Sequence, residues 1–262
     1  MAMELKDRIA VVTGPAKGMG AAITGALARE GADLVLVGRD VAAIEPVASE
    51  IAALGRRVRT VACDVTKPAE VSAMAAQARE FGGGRIDILV NVAGGSGPIE
   101  TPSWETTPDE FDQIVELNMK GCFLTMREVL PTMMAQNYGK IVNIGGTFGL
   151  RGRALRMAYS ASKWGLRGIT KSVALEAGPF NINVNTICPG MVEGPRFDRV
   201  CRENAKRLNI TIDAARRRHA QEYAMRRIST GEDVANAVIF LVSEHSRQIT
   251  GQDLAVDGGW VI

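Results

Sequence analysis

R-I-A-V-V-T-G-P-A-K-G-M-G, residues 8–20, joins an apolar run to a cluster of glycines. Arg8–Thr13 is an apolar run that ends at a glycine, so it predicts a strand. Gly14, Gly18 and Gly20 follow at G-x-x-x-G-x-G spacing, and a helical stretch then runs to about Glu30. A strand that feeds a glycine-rich turn into a helix opens a βαβ unit. Asp33–Val37 reads as the second strand, with Asp40 as the cap of the next helix. Arg57–Cys63 reads as a third strand, and Pro68 as an early position of the helix after it. Ile86–Asn91 is almost wholly apolar, as a strand covered on both faces should be.

The alternation continues to the C-terminus. Thr107-Pro108-Asp109-Glu110 is a helix start in which Thr107 caps, Pro108 takes N1 and Glu110 closes a capping box. That helix carries Asn118. Lys140–Ile144 and Ile182–Cys188 read as strands on either side of a long helix at about 158–177. A helix begins after Thr230, with Asp233 three positions on, and Leu254–Val256 is a short last strand. The expected fold is α/β: a doubly wound, mostly parallel sheet in a three-layer α/β/α arrangement. The whole chain, 1–262, reads as one domain. The segment at about 194–229 breaks the rhythm and reads as a helical insertion that covers a ligand site.

Composition sets limits on function. The 262 residues are 46% hydrophobic and 23% charged, an ordinary globular balance. A net charge of +2 gives no argument for nucleic acid. The insertion is locally basic, with ten Lys/Arg against four Asp/Glu between Arg196 and Arg227. Cys63, Cys122, Cys188 and Cys201 show neither C-x-x-C nor zinc-site spacing, so free thiols in a reducing, cytoplasmic setting are expected. No apolar signal segment opens the chain, and no uncharged apolar run is long enough to span a bilayer. His219 and His245 lie far apart with no partner cluster, so no metal is expected.

The glycine loop suits a dinucleotide. Gly14, Gly18 and Gly20 permit close approach of backbone to a pyrophosphate, and the helix start supplies free N–H groups. A carboxylate at the end of the second strand would grip the ribose of NAD; here stand Gly38 and Arg39. Arg39 and Lys17 therefore favour the 2′-phosphate of NADP, with NAD as the alternative if Asp40 reaches the ribose. Asp64 can meet the adenine, and Asn91-Val92-Ala93-Gly94 closes the fourth strand with small residues.

Tyr159 and Lys163 are four apart on a predicted helix and share a face. A free phenol has a pKa near 10 and needs a neighbouring cation to serve as a base at neutral pH. Lys163 is that cation, so Tyr159 can exchange a proton with an alcohol or carbonyl oxygen.

Taken together, the glycine loop at 13–20, Asp64, N-V-A-G at 91–94, Asn118, Y-S-A-S-K at 159–163 and Pro189-Gly190 resemble the short-chain dehydrogenase/reductase family. The resemblance runs from about residue 6 to the C-terminus. It implies that Tyr159 is the acid/base, that Lys163 tunes Tyr159 and holds the nicotinamide ribose, and that Asn118 holds a relay water. It adds Met19, Val65, Pro189, Gly190 and Val192 to the cofactor side. It also implies a homo-oligomer, either tetramer or dimer. Two departures stand out. The family's serine thirteen residues before the tyrosine is Gly146 here, and the adjacent Thr147 is the expected substitute. The family's threonine near position 194 is absent from Met191-Val192-Glu193-Gly194-Pro195.

On the substrate side, Arg153 and Arg156 precede Tyr159 and suggest an anionic group. Met191 and Trp104 are expected as apolar wall, beside Gly146. The implied function is hydride exchange between a nicotinamide and a secondary alcohol or ketone. Two alternatives stay open: a 3-oxoacyl thioester reductase of the same family, and a non-catalytic nucleotide-binding subunit.

Overall fold

The structure, a computed structural model, describes residues 3–262. Seven strands form one sheet: β1 Ile9–Thr13, β2 Asp33–Gly38, β3 Val58–Ala62, β4 Ile88–Asn91, β5 Gly139–Ile144, β6 Ile182–Pro189 and β7 Asp253–Val256. Their order is β3-β2-β1-β4-β5-β6-β7 and every pairing is parallel. The helices are α1 Met19–Arg29, α2 Glu45–Ala53, α3 Pro68–Phe81, α4 Pro108–Val115, α5 Gly121–Ala135, α6 Met157–Ala177, α7 Pro195–Leu208, α8 Ile212–Gln221 and α9 Gly231–Val242. A π-helical turn, Glu116–Lys120, joins α4 to α5.

The two-faced burial that the apolar strands called for is present. Successive side chains of a strand point to opposite faces. Ala10, Val12, Leu34, Leu36, Ile88 and Val90 fill one layer, under α1, α2 and α9. Val11, Val35, Val37 and Leu89 fill the other, under α3, α5 and α6. Each fully buried Val, Leu or Ile contributes roughly 1.5–3 kcal/mol, so these two layers dominate the fold's stability.

Local signals behave as expected at two helix starts. Thr107 and Glu110 close a capping box with Pro108 in the first turn of α4, and Thr230 and Asp233 do the same for α9. Asp40 differs from expectation. Helix α2 starts only at Glu45, because Pro46 is tolerated only in a first turn. The Asp40 carboxylate instead accepts the Ala43 N–H at 3.1 Å and caps the turn before the helix. The segment expected as a helical cover forms α7 and α8, packed together through Phe197, Cys201, Ala205 and Ala215. Among the described residues, no helix is long and apolar enough to cross a membrane.

Candidate active site

A cleft of about 410 Å³ opens over the C-terminal ends of β1 and β4, where the order of the strands reverses direction. Ligands of open α/β sheets bind at that point. Gly14, Lys17, Gly18, Met19 and Gly20 line one end. A side-chain carbon added at Gly14 would lie 2.9 Å from the Ala93 main-chain nitrogen, and one at Gly20 would lie 2.1 Å from the Gly14 carbonyl oxygen. Only hydrogen fits at either place. Thr13 Oγ1 accepts the Val92 and Ala93 N–H groups, both at 3.1 Å, and so ties the loop after β4 to the end of β1.

Arg39, Asp64 and Val65 continue this end of the cleft, with Ala93, Gly94, Pro189, Gly190 and Val192 further along. The Asp64 carboxylate accepts from the Thr66 N–H and hydroxyl at 3.0 and 2.8 Å. The Thr66 N–H foremost, with Arg39 and Lys67 adding, holds Asp64 below the usual carboxylate range. Asp40, spent on its turn, does not reach the cleft, whereas Arg39 and Lys17 do. These residues fit a dinucleotide: a tight glycine cradle, a helix start that faces it, and two cations at the ribose end. Among the described residues, no cluster of His, Cys, Asp and Glu could hold a metal ion.

Asn91 is a correction. It is buried and does not line the cleft. Its side chain accepts from Thr125 Oγ1 at 2.8 Å and donates to Asn143 Oδ1 at 2.9 Å. Asn143 donates on to Thr170, which also meets Thr186. Thr13, Asn91, Asn143, Thr186 and Asp253 lie in one register row across β1, β4, β5, β6 and β7. Within the row the side chains of Asn91, Asn143 and Thr186 are hydrogen-bonded and form a polar floor beneath the site, where an unpaired amide would cost about 1–3 kcal/mol.

Tyr159 and Lys163 both line the cleft from the first turns of α6. Lys163 Nζ donates to the Ile144 carbonyl at 2.7 Å and lies 5.9 Å from the Tyr159 ring centroid. The Tyr159 hydroxyl sits 2.9 Å from where a side-chain carbon on Gly146 would be. Thr147 borders the cleft in a short 3₁₀ turn, but no hydrogen bond joins its hydroxyl to Tyr159. Asn118 lies in the π-helical turn and is fully buried. Its amide accepts the Gly95 N–H at 2.8 Å and donates to the Gly95 carbonyl and Ser162 Oγ.

Met191 and Arg156 also line the cleft, together with Phe148, Phe197, Val200 and Trp260. Arg156 is 7% exposed, and its Nη2 donates to the Ser96 carbonyl at 2.9 Å. Burial pushes its guanidinium below the ordinary value, against the pull of Tyr159 and with Arg196 adding to the drop. It remains a cation, as arginine does in proteins. Two expected substrate residues are elsewhere. Trp104 is 86% exposed and off the cleft, because it follows Pro102 in a surface turn. Arg153 turns from the cleft to Glu222, at 3.3 Å. Glu222 also accepts the Trp260 indole N–H at 2.9 Å, so Arg153 supports the C-terminal wall instead of facing a substrate.

That wall was missed from the sequence. Trp260 stacks on Tyr223 with centroids 4.8 Å apart, and Phe148 packs against it at 5.3 Å. The available signal was Gly258-Gly259, both at positive φ, which returns the chain to the cleft. Helix α7 is tied down by Arg196, whose Nη2 donates to the Gly94 carbonyl at 2.9 Å, and by Arg207, paired with Glu100 at 2.5 Å.

Comparison with known proteins identifies the family. Residues 14–261 match a family model described as Enoyl-(Acyl carrier protein) reductase. The D-beta-hydroxybutyrate dehydrogenase of Rhizobium meliloti (strain 1021) is 35% identical over 257 residues, covering 97% of this chain and 98% of its own. A solved NAD+-bound xylitol dehydrogenase superposes with a TM-score of 0.93 at 28% identity, over 98% of this chain and all of its own. The actinorhodin polyketide ketoreductase with NADPH gives 0.92 at 31% identity, over 99% of both chains. The chain belongs to the short-chain dehydrogenase/reductase family, the NAD(P)-dependent oxidoreductases of alcohols and ketones.

Proposed function

We propose that the protein is an NADP-preferring dehydrogenase or reductase of a secondary alcohol or ketone, with Tyr159 as its acid/base. The observation that carries this reading is the place of the Tyr159 oxygen. Tyr159 lines the same cleft as the glycine loop and the apolar wall, its hydroxyl is beside Gly146, and the Lys163 ammonium is 5.9 Å from its ring centroid. When bound, a nicotinamide would supply hydride to a carbonyl carbon or take it from a carbinol carbon. In the oxidative direction the Tyr159 oxygen accepts the hydroxyl proton as hydride leaves the carbon; in reduction it returns that proton. Lys163 is anchored to Ile144 through one donor and keeps others for the ribose. Its charge stabilises the phenolate oxygen through the transfer.

Thr147, or a main-chain N–H beside Gly146, holds the substrate oxygen in place of a serine hydroxyl. Asn118 fixes the loop at Gly95, and the relay water belongs on its main-chain carbonyl, since its amide is spent. Gly14, Lys17, Gly18, Met19, Gly20, Arg39, Asp64 and Val65 hold the nucleotide, and Arg39 with Lys17 selects the 2′-phosphate. Arg156 and Arg196 on the wall favour a substrate with an anionic group. Exposed Phe123, Trp164 and Leu175 on α5 and α6 suit burial between copies in a homo-oligomer. Four free, buried cysteines suit a reducing, cytoplasmic compartment.

The test is turnover of NADP+ or NADPH with a panel of secondary alcohols and ketones. Activity that Tyr159→Phe abolishes while nucleotide binding persists supports the reading. Equal activity in the variant overturns it.

A further inference from the structure

Arg156 is a buried cation that the protein does not neutralise. No carboxylate among the described residues pairs with it, and its Nε has no hydrogen-bond partner. Glu100, which bears on it electrostatically, is paired with Arg207. Glu193 borders the cleft from the segment leading into α7, but no hydrogen bond or ion pair joins it to Arg156. Arg196, the next cation on the wall, bonds only a carbonyl. Buried charges in proteins are paired, and an unpaired one is costly. A guanidinium held at a cleft wall by a single carbonyl is therefore suited to receive an anion from the ligand.

Its distance from the chemistry limits that ligand. The Arg156 guanidinium carbon lies 5.0 Å from the Tyr159 ring centroid. A carboxylate docked on its fork sits within a few bonds of the carbon that reacts at the Tyr159 oxygen. A 2- or 3-hydroxy acid, or the matching oxo acid, meets that spacing. The phosphodiester of an acyl-carrier arm does not, because it lies many bonds from the ketone. Phe148, Met191, Phe197 and Trp260 leave the far side apolar, as a short hydrocarbon end requires.

We infer that this site takes a short hydroxy- or oxo-carboxylic acid whose carboxylate is bound by Arg156. The inference rests on the redox reading above.

The experiment compares kcat/KM for 2- and 3-hydroxy acids with that for their neutral amides, in the wild type, Arg156→Gln and Arg156→Lys. The wild type should prefer the acid. Arg156→Gln should cut the acid-to-amide preference about 10- to 100-fold, the loss expected for hydrogen bonds to a charged group. Arg156→Lys should keep part of it, since charge remains but the fork is lost. A second readout needs no turnover: butyrate, with nucleotide present, should raise the wild-type melting temperature and fail to do so in Arg156→Gln. Should the Gln variant not fold, Arg156→Lys carries both comparisons. Amides used as well as acids, a preference untouched in the variants, or turnover of acyl thioesters alone would overturn the assignment while leaving the redox reading intact. No turnover of any alcohol or ketone, charged or neutral, would overturn the redox reading itself.

Discussion

A side-chain carbon on Gly146 would stand 2.9 Å from the hydroxyl of Tyr159, so this position is kept clear by the absence of a side chain. The constraint is space and not backbone, since φ at Gly146 is 163°, an extended value any residue adopts. Gly146→Ala should therefore fold normally yet displace the Tyr159 oxygen. Misplacement of a reacting group by about 1 Å can cost on the order of 100-fold. We expect kcat to fall about 10- to 100-fold with nucleotide affinity unchanged. Gly146→Ser adds the same carbon with a hydroxyl and should retain more activity than Ala. Steady-state kinetics of both variants checks this; wild-type kcat in Gly146→Ala would contradict it.

Arg39 borders the cleft while Asp40 is occupied by its own turn. The wild type should favour NADPH over NADH. Arg39→Asp removes a phosphate partner and adds a carboxylate for ribose hydroxyls. The NADPH/NADH ratio of kcat/KM should drop at least about 10- to 100-fold, given roughly 1.5–3 kcal/mol for hydrogen bonds to a charged group. Titration with both nucleotides gives the answer, and an unchanged ratio would count against the assignment.

Much of this was legible in the chain because it rests on local rules. Capping boxes at Thr107 and Thr230, the glycine loop and the apolar strands each follow from a few neighbouring residues. Asp40 misled because a helix start depends on Pro46 as well as on a capping side chain. Asn91 misled because closeness to the cleft in sequence does not say which face a strand residue takes. Arg153 misled because nearness to Tyr159 along the chain does not fix where its side chain points. Glu222, 69 residues away, decides where Arg153 points. The Trp260 wall was hidden for the same reason, since it is made by pairings between segments far apart.

His219 links the packing of α7 on α8 to pH. It is buried between α7 and α8, its Nε2 meets Asn204 Nδ2 at 2.8 Å, and its Nδ1 has no partner. Burial holds its pKa below the ordinary histidine value of about 6.5. The unfolded chain therefore takes up this proton before the folded one does. The stabilisation is fully present above about pH 6.5 and is lost as pH falls from there through the folded value. Thermal midpoints between pH 8 and 5 should decline below that point, and His219→Gln should flatten the decline. An identical slope in the variant would contradict it.

The most direct measurement is hydride transfer in Tyr159→Phe beside nucleotide binding in the same preparation. Loss of a positioned acid/base costs about 100- to 10,000-fold, and the phenyl ring keeps the packing against Phe148. We predict that kcat falls in that range while the nucleotide dissociation constant changes little. A variant that keeps wild-type turnover would show that the proton moves by another route.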